Sequence, residues 1–286
     1  MRRRVLVLLS ILGVAAAACS RPAETRSFEL QGQILAVEPA RQEVLIKHGD
    51  IKGFMPGMTM PFKVQDASLL ADKKAGDLVT ATLVVGDVDA HLSAITTTGH
   101  APLETPPAVS DAPRILAPGE EIADALLVTQ DGTPLPFSTL RRHRVALTFI
   151  YTRCPLPEFC PMMDRHFAAA QKTILATPAL ADVRLVTMTM DPEFDTPAVL
   201  KPYAQRRNAN PSLWTFATGE PTDVARFASQ FGLYIERNPE SPADITHNLV
   251  TVTIDPAGRL VTRHTGNDWT PAELVADLTA IPAPAR

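Results

Sequence analysis

Arg144-Val145-Ala146-Leu147-Thr148-Phe149-Ile150-Tyr151 runs directly into Thr152-Arg153-Cys154-Pro155-Leu156-Pro157-Glu158-Phe159-Cys160-Pro161. The first eight residues are nearly continuously apolar, as in a parallel strand covered on both faces. A helical pattern follows over 160–177. Two cysteines therefore fall between the end of a buried strand and the start of a helix, where open α/β sheets collect their sites. A thiol at a helix N-terminus feels the positive end of the macrodipole and loses its proton more readily. Thiolates attack disulfides and bind soft metals, so the pair reads as a redox couple, a metal site or a structural disulfide closing a tight loop.

Outward from this motif, strands are expected over 183–189, 213–217, 248–254 and 259–264, with helices over 197–207, 221–231 and 271–280. The alternation argues for an α/β domain over 119–286. Asp195-Thr196-Pro197 reads as a helix start, with Asp195 as the capping side chain and Pro at the first helical position. Asp191 is a candidate for supporting the site from behind.

Residues 119–286 resemble the Sco/SenC family of thioredoxin-fold proteins. The resemblance rests on the strand-then-Cys…Cys-Pro motif, on Met190-Asp191-Pro192-Glu193-Phe194-Asp195-Thr196-Pro197, and on Asp244-Ile245-Thr246-His247 before a strand that ends in Asp255-Pro256-Ala257-Gly258. It implies copper held by Cys154, Cys160 and His247, and delivery of that copper to the CuA centre of cytochrome c oxidase. The donor chemistry agrees, since thiolates favour Cu(I) and imidazole suits either copper state. The spacing departs from the family: C-x5-C stands here in place of C-x3-C, with Pro155 and Pro157 inside it. A competing reading makes Cys154 and Cys160 the catalytic pair of a thiol–disulfide oxidoreductase. The stretch 244–247 carries no Pro where such reductases usually hold a cis-Pro, which favours copper.

Residues 27–98 have a different texture, with short alternating runs separated by turn residues, as in a small all-β sandwich or barrel. Three of the eight Met lie within His48-Gly49-Asp50-Ile51-Lys52-Gly53-Phe54-Met55-Pro56-Gly57-Met58-Thr59-Met60-Pro61-Phe62. On a strand Met58 and Met60 share a face, and a hairpin brings His48 to their thioethers, a soft donor set for Cu(I). The same residues also read as core packing, for which Met is well suited. The segment resembles the CusF-like copper-binding domain, an OB-type barrel, which implies His48, Met58 and Met60 as ligands. That family stacks a Trp on its metal just before the Pro. Met55 stands there instead, as a candidate third sulfur, and Phe54 is out of register. His91 and His100 are assigned no role.

The N-terminus carries Arg2, Arg3 and Arg4, a short apolar stretch over 5–14 and small residues over 15–18, leading into Cys19. This resembles a bacterial lipobox. It implies a signal peptide over 1–18, acylation of Cys19 and a lipid anchor on the periplasmic side of a membrane; an ordinary secretory signal cut near Ala18 is the alternative. Residues 19–26 then form a tether, and the proline-punctuated stretch 99–118 a semi-rigid linker. With 27 Lys+Arg against 31 Asp+Glu, the formal charge is −4, which gives no footprint for nucleic acid. The organisation expected is thus a CusF-type β-barrel joined to a thioredoxin-like domain. The function expected is that of an anchored copper metallochaperone, with copper buffering as a further alternative.

Overall fold

The structure is a computed structural model that describes residues 25–103, 114–238 and 241–284. The signal peptide, Cys19 and the middle of the linker lie outside those residues.

The first sheet contains β1 (Arg26–Glu38), β2 (Glu43–His48), β3 (Met58–Lys63), β4 (Asp77–Val85) and β5 (Ala90–His100). All its pairings are antiparallel, in the order β3-β2-β1-β4-β5. Alternation along each strand turns Leu30, Ile34, Ile46, Leu83 and Leu92 into one core. In β1 a Cβ on Gly32 would stand 2.5 Å from the Lys47 carbonyl, and a bulge against β2 falls between Ile34 and Ala36.

The expected OB-like barrel is corrected on one point: it is not closed by a continuous ladder. The edge strands meet at a single parallel bridge, Val64 to Leu92, with Gln65 N–H donating to the Leu92 carbonyl at 2.9 Å. Sequence explains the gap. Pro61 lies on the outer edge of β3 and has no N–H to offer a further strand, and the chain leaves β3 for a turn of 3₁₀ helix, Ala67–Leu70.

The second sheet is built from β6 (Leu126–Thr129), β7 (Pro134–Pro136), β8 (Arg144–Ile150), β9 (Val183–Thr189), β10 (Trp214–Thr218), β13 (Val250–Ile254) and β14 (Leu260–Thr265). Between these in the chain come α1 (Cys160–Leu175), α2 (Pro197–Arg206), α3 (Pro221–Ser229) and a separate hairpin, β11 (Ile235–Asn238) with β12 (Ser241–His247); α4 (Pro271–Ala280) follows β14. The order is β14-β13-β8-β9-β10-β6-β7, with β8, β9 and β10 parallel. Every residue of β8 is buried, as its unbroken apolar run requires. The segment 244–247 therefore lies in β12. The β6–β7 hairpin, four and three residues long, was too short to show a period.

Candidate metal centre

β8 delivers the chain at Tyr151, and a short turn follows in which Cys154 N–H donates to the Tyr151 carbonyl at 3.3 Å. The five intervening residues fold back, Phe159 N–H reaching the Leu156 carbonyl at 3.2 Å, and α1 begins at Cys160. Both cysteines are free thiols. A hydrogen bond from Cys160 pulls the Cys154 thiol below its ordinary pKa, while burial pushes the Cys160 thiol well above it. The thiol at the helix start is thus the less acidic of the two, because burial disfavours its charged form, and Cys154 is the more acidic.

His247 ends β12. Its Nδ1–H donates to the Asn248 carbonyl at 2.9 Å, which fixes Nε2 as the lone-pair nitrogen. Burial lowers its pKa, so the imidazole is neutral near pH 7, and its edge packs on Tyr151 with ring centroids 5.5 Å apart. His247 and Cys154 line the same small cavity, and Cys160 lies behind Cys154. Among the described residues, no three His, Cys, Asp or Glu side chains gather at metal-holding spacing.

Asp195 does not cap α2. The N-cap is Thr196, and its side chain makes no capping bond. The buried Asp195 carboxylate instead accepts from Thr152 N–H at 3.0 Å, from Thr189 Oγ1 at 2.6 Å and from the Thr152 hydroxyl. It ties the turn before Cys154 to the end of β9, a demand stronger than a cap because a buried carboxylate needs several donors. Asp191 is paired with Arg153 at 2.5 Å and Arg237 at 2.9 Å, and Arg153 stacks over Phe194 at 3.9 Å. The residue beside Cys154 is held from two sides. Neither arginine carried a sequence signal.

In the first sheet His48 lies directly across from Met58, and Met60 follows on the same face opposite Ile46. His48 Nδ1–H donates to the Gly49 carbonyl at 2.7 Å, again leaving the lone pair on Nε2. Met55 and Met60 are buried in the sheet's core, so packing and donor roles fall on the same side chains. Phe54 is engaged elsewhere, stacked on Phe28 at 4.4 Å. His100 bonds the buried Asp77 at 3.1 Å, and His91 lies 3.5 Å from Asp89.

Residues 119–282 match the SCO1/SenC family. The chain belongs to the SCO1/SenC family. Its thioredoxin-like second domain has the family's fold, seen in a SCO1/SenC family lipoprotein of Bacillus anthracis (TM-score 0.52, 23% identity, 58% of this chain and 98% of that one). A SCO1 protein homolog of Bacillus subtilis is 27% identical over 170 residues, 56% of this SCO1/SenC chain and 86% of that protein. The ScoI of Bradyrhizobium japonicum, solved with copper bound, is 24% identical over 57% of this chain and all of that one, with a TM-score of 0.48. Residues 27–97 match a second family, described as copper binding periplasmic protein CusF. Among the described residues of this SCO1/SenC protein, no helix is long and apolar enough to cross a membrane.

Proposed function

We propose that this SCO1/SenC protein is a copper metallochaperone, with copper as cargo rather than resident cofactor. One observation carries the reading: His247 and Cys154 line one small cavity at the end of a buried strand, with Cys160 hydrogen-bonded to Cys154 behind it. That is a soft donor set suited to Cu(I). The CusF match of the first domain supports the same cargo and a periplasmic location. In this reading Cys154, Cys160 and His247 hold copper in the second domain; His48, Met58 and Met60, with Met55 as a further sulfur, hold it in the first; and acylated Cys19 anchors the chain. The acceptor is the CuA-bearing subunit of cytochrome c oxidase.

Copper leaves by ligand exchange, an acceptor thiolate replacing one protein donor at a time. The ion remains Cu(I), and each incoming thiol gives its proton to water. Arg153, Asp191 and Asp195 take no part in the exchange; they hold the turn that aims Cys154.

The uneven acidity of the two thiols also suits a thiol–disulfide reductase, with Cys154 attacking and Cys160 resolving. One experiment separates the readings. The reduced, Cu(I)-loaded chain is mixed with a metal-free CuA domain whose cysteines are already reduced, and copper is counted in the re-isolated acceptor. Transfer from the wild type and its loss in Cys154→Ser/Cys160→Ser is the expected result. Tight retention without transfer would point to buffering. A chain that binds no copper yet reduces an oxidised acceptor would make it a reductase.

A further inference from the structure

The two donor sets face each other. Leu156 sits inside the widened C-x5-C spacing and is buried in the core of the first sheet with Met55 and Met60; Cys154 and Phe159 pack against the same core. Beside it β12 runs along β3, where Thr59 N–H points to Thr246 Oγ1 at 3.5 Å. Between the domains lies a cavity of about 20 Å³. That is room for one water-sized or ion-sized occupant. Its walls include Cys154 and His247 from the second domain and Met55, Met58 and Met60 from the first. Met58 also borders a wider groove that His48 lines, so it stands between His48 on one side and Cys154 with His247 on the other.

We propose that Cys154, His247, Met58 and Met60 form one composite Cu(I) site across the domain boundary, through which copper passes from the first domain to the second without entering solvent. This rests on the copper reading of the two donor sets. Charge supports it: Cu(I), one thiolate, a neutral imidazole and thioethers sum to zero, which an apolar cavity accommodates at low cost. In the hand-over the copper–His48 bond breaks and a copper–Cys154 bond forms while Met58 remains bound. No electron moves. Cys154 gives its thiol proton to water as it binds the copper, and His48 regains its lone pair. The direction is set by the stronger hold of a soft thiolate than of an imidazole on Cu(I). The widened cysteine spacing gains a purpose, since Leu156 is the residue that docks the loop on the methionines.

The test uses the full mature chain, reduced and selenomethionine-labelled, carrying His48→Ala so that the first domain's own imidazole site is disabled. One equivalent of Cu(I) is added, and the copper-edge X-ray absorption spectrum is recorded. The composite site predicts selenium and sulfur together in the copper shell. It further predicts that unlabelled Met58→Leu/Met60→Leu, a volume-conserving change, releases copper to a competing chelator at least ~10-fold faster, the scale on which even outer-shell losses act. A copper shell of sulfur and nitrogen without selenium, with affinity intact, overturns the composite site and leaves the chaperone reading standing. Copper held equally well after Cys154→Ser/Cys160→Ser overturns the chaperone reading itself.

Discussion

Replacing Leu156 by Ala should loosen the cysteine loop from the first sheet without unfolding either domain. Leu156 is 3% exposed, and its neighbours include Met55, Met60 and the rest of the first-domain core, although its own chain segment belongs to the second domain. Buried Leu→Ala changes cost about 2–5 kcal/mol. A domain boundary relaxes more readily than a core, so the lower part of that range applies, ~2–3 kcal/mol. At ~1.4 kcal/mol per factor of ten, the docked-to-undocked ratio falls roughly 30- to 140-fold. The Thr59 amide is the probe, because it points out of β3 toward Thr246 of the other domain. Its hydrogen-exchange protection reports the opening equilibrium and should fall by that factor. Amides in the centre of β8 should keep theirs. Both Trp residues, 214 and 269, lie in the second domain, so the fluorescence-detected melt should move little. Unchanged Thr59 protection would refute the claim that Leu156 joins the domains.

Iodoacetamide at neutral pH should alkylate Cys154 before Cys160, by mass spectrometry of the reduced chain. The pH at which Cys154 reacts half-maximally should rise in Cys160→Ala, because the Cys160 hydrogen bond is the largest cause of its acidity. Asp195→Asn removes acceptor capacity from three donors and should cost about 2 kcal/mol, lowering Tm by roughly 4–8 °C in calorimetry. Glu158 is buried beside the same loop, and burial raises its pKa from 4.5 to about 7. Between those values the folded chain holds a proton that the unfolded chain has released, so stability should fall as pH rises through that window and level off above it. Melting curves of the metal-free chain from pH 4 to 8 should show this fall, and Glu158→Gln should flatten it.

Elements with a clear period were legible in the sequence. The strand expected over 183–189 and the helix over 271–280 match β9 and α4, since a short apolar run and a helical pattern are local signals. α1 ends two residues short of its expected limit. The β11–β12 hairpin was not legible, because its two short strands pair with each other rather than extend a patterned sheet. Asp195 misled because Asp-Thr-Pro is a good local helix start, whereas its donors come from Thr189 at the end of β9 and from Thr152, 43 residues away. The expected hairpin is the one that sets His48 across from Met58, and the shared face of Met58 and Met60 followed from the two-residue period. Their nearness to Cys154 did not, because it depends on how Leu156 docks across nearly a hundred residues of chain.

The central claim is that the cysteine pair makes the protein's tightest copper site. It is tested most directly by titrating Cu(I) into the reduced mature chain against a chelator, beside Cys154→Ser/Cys160→Ser. The account predicts that the tightest equivalent weakens by more than the ~10–100-fold that loss of an outer-shell partner costs. Equal affinity in the two proteins would contradict it and leave copper to the methionines of the first sheet.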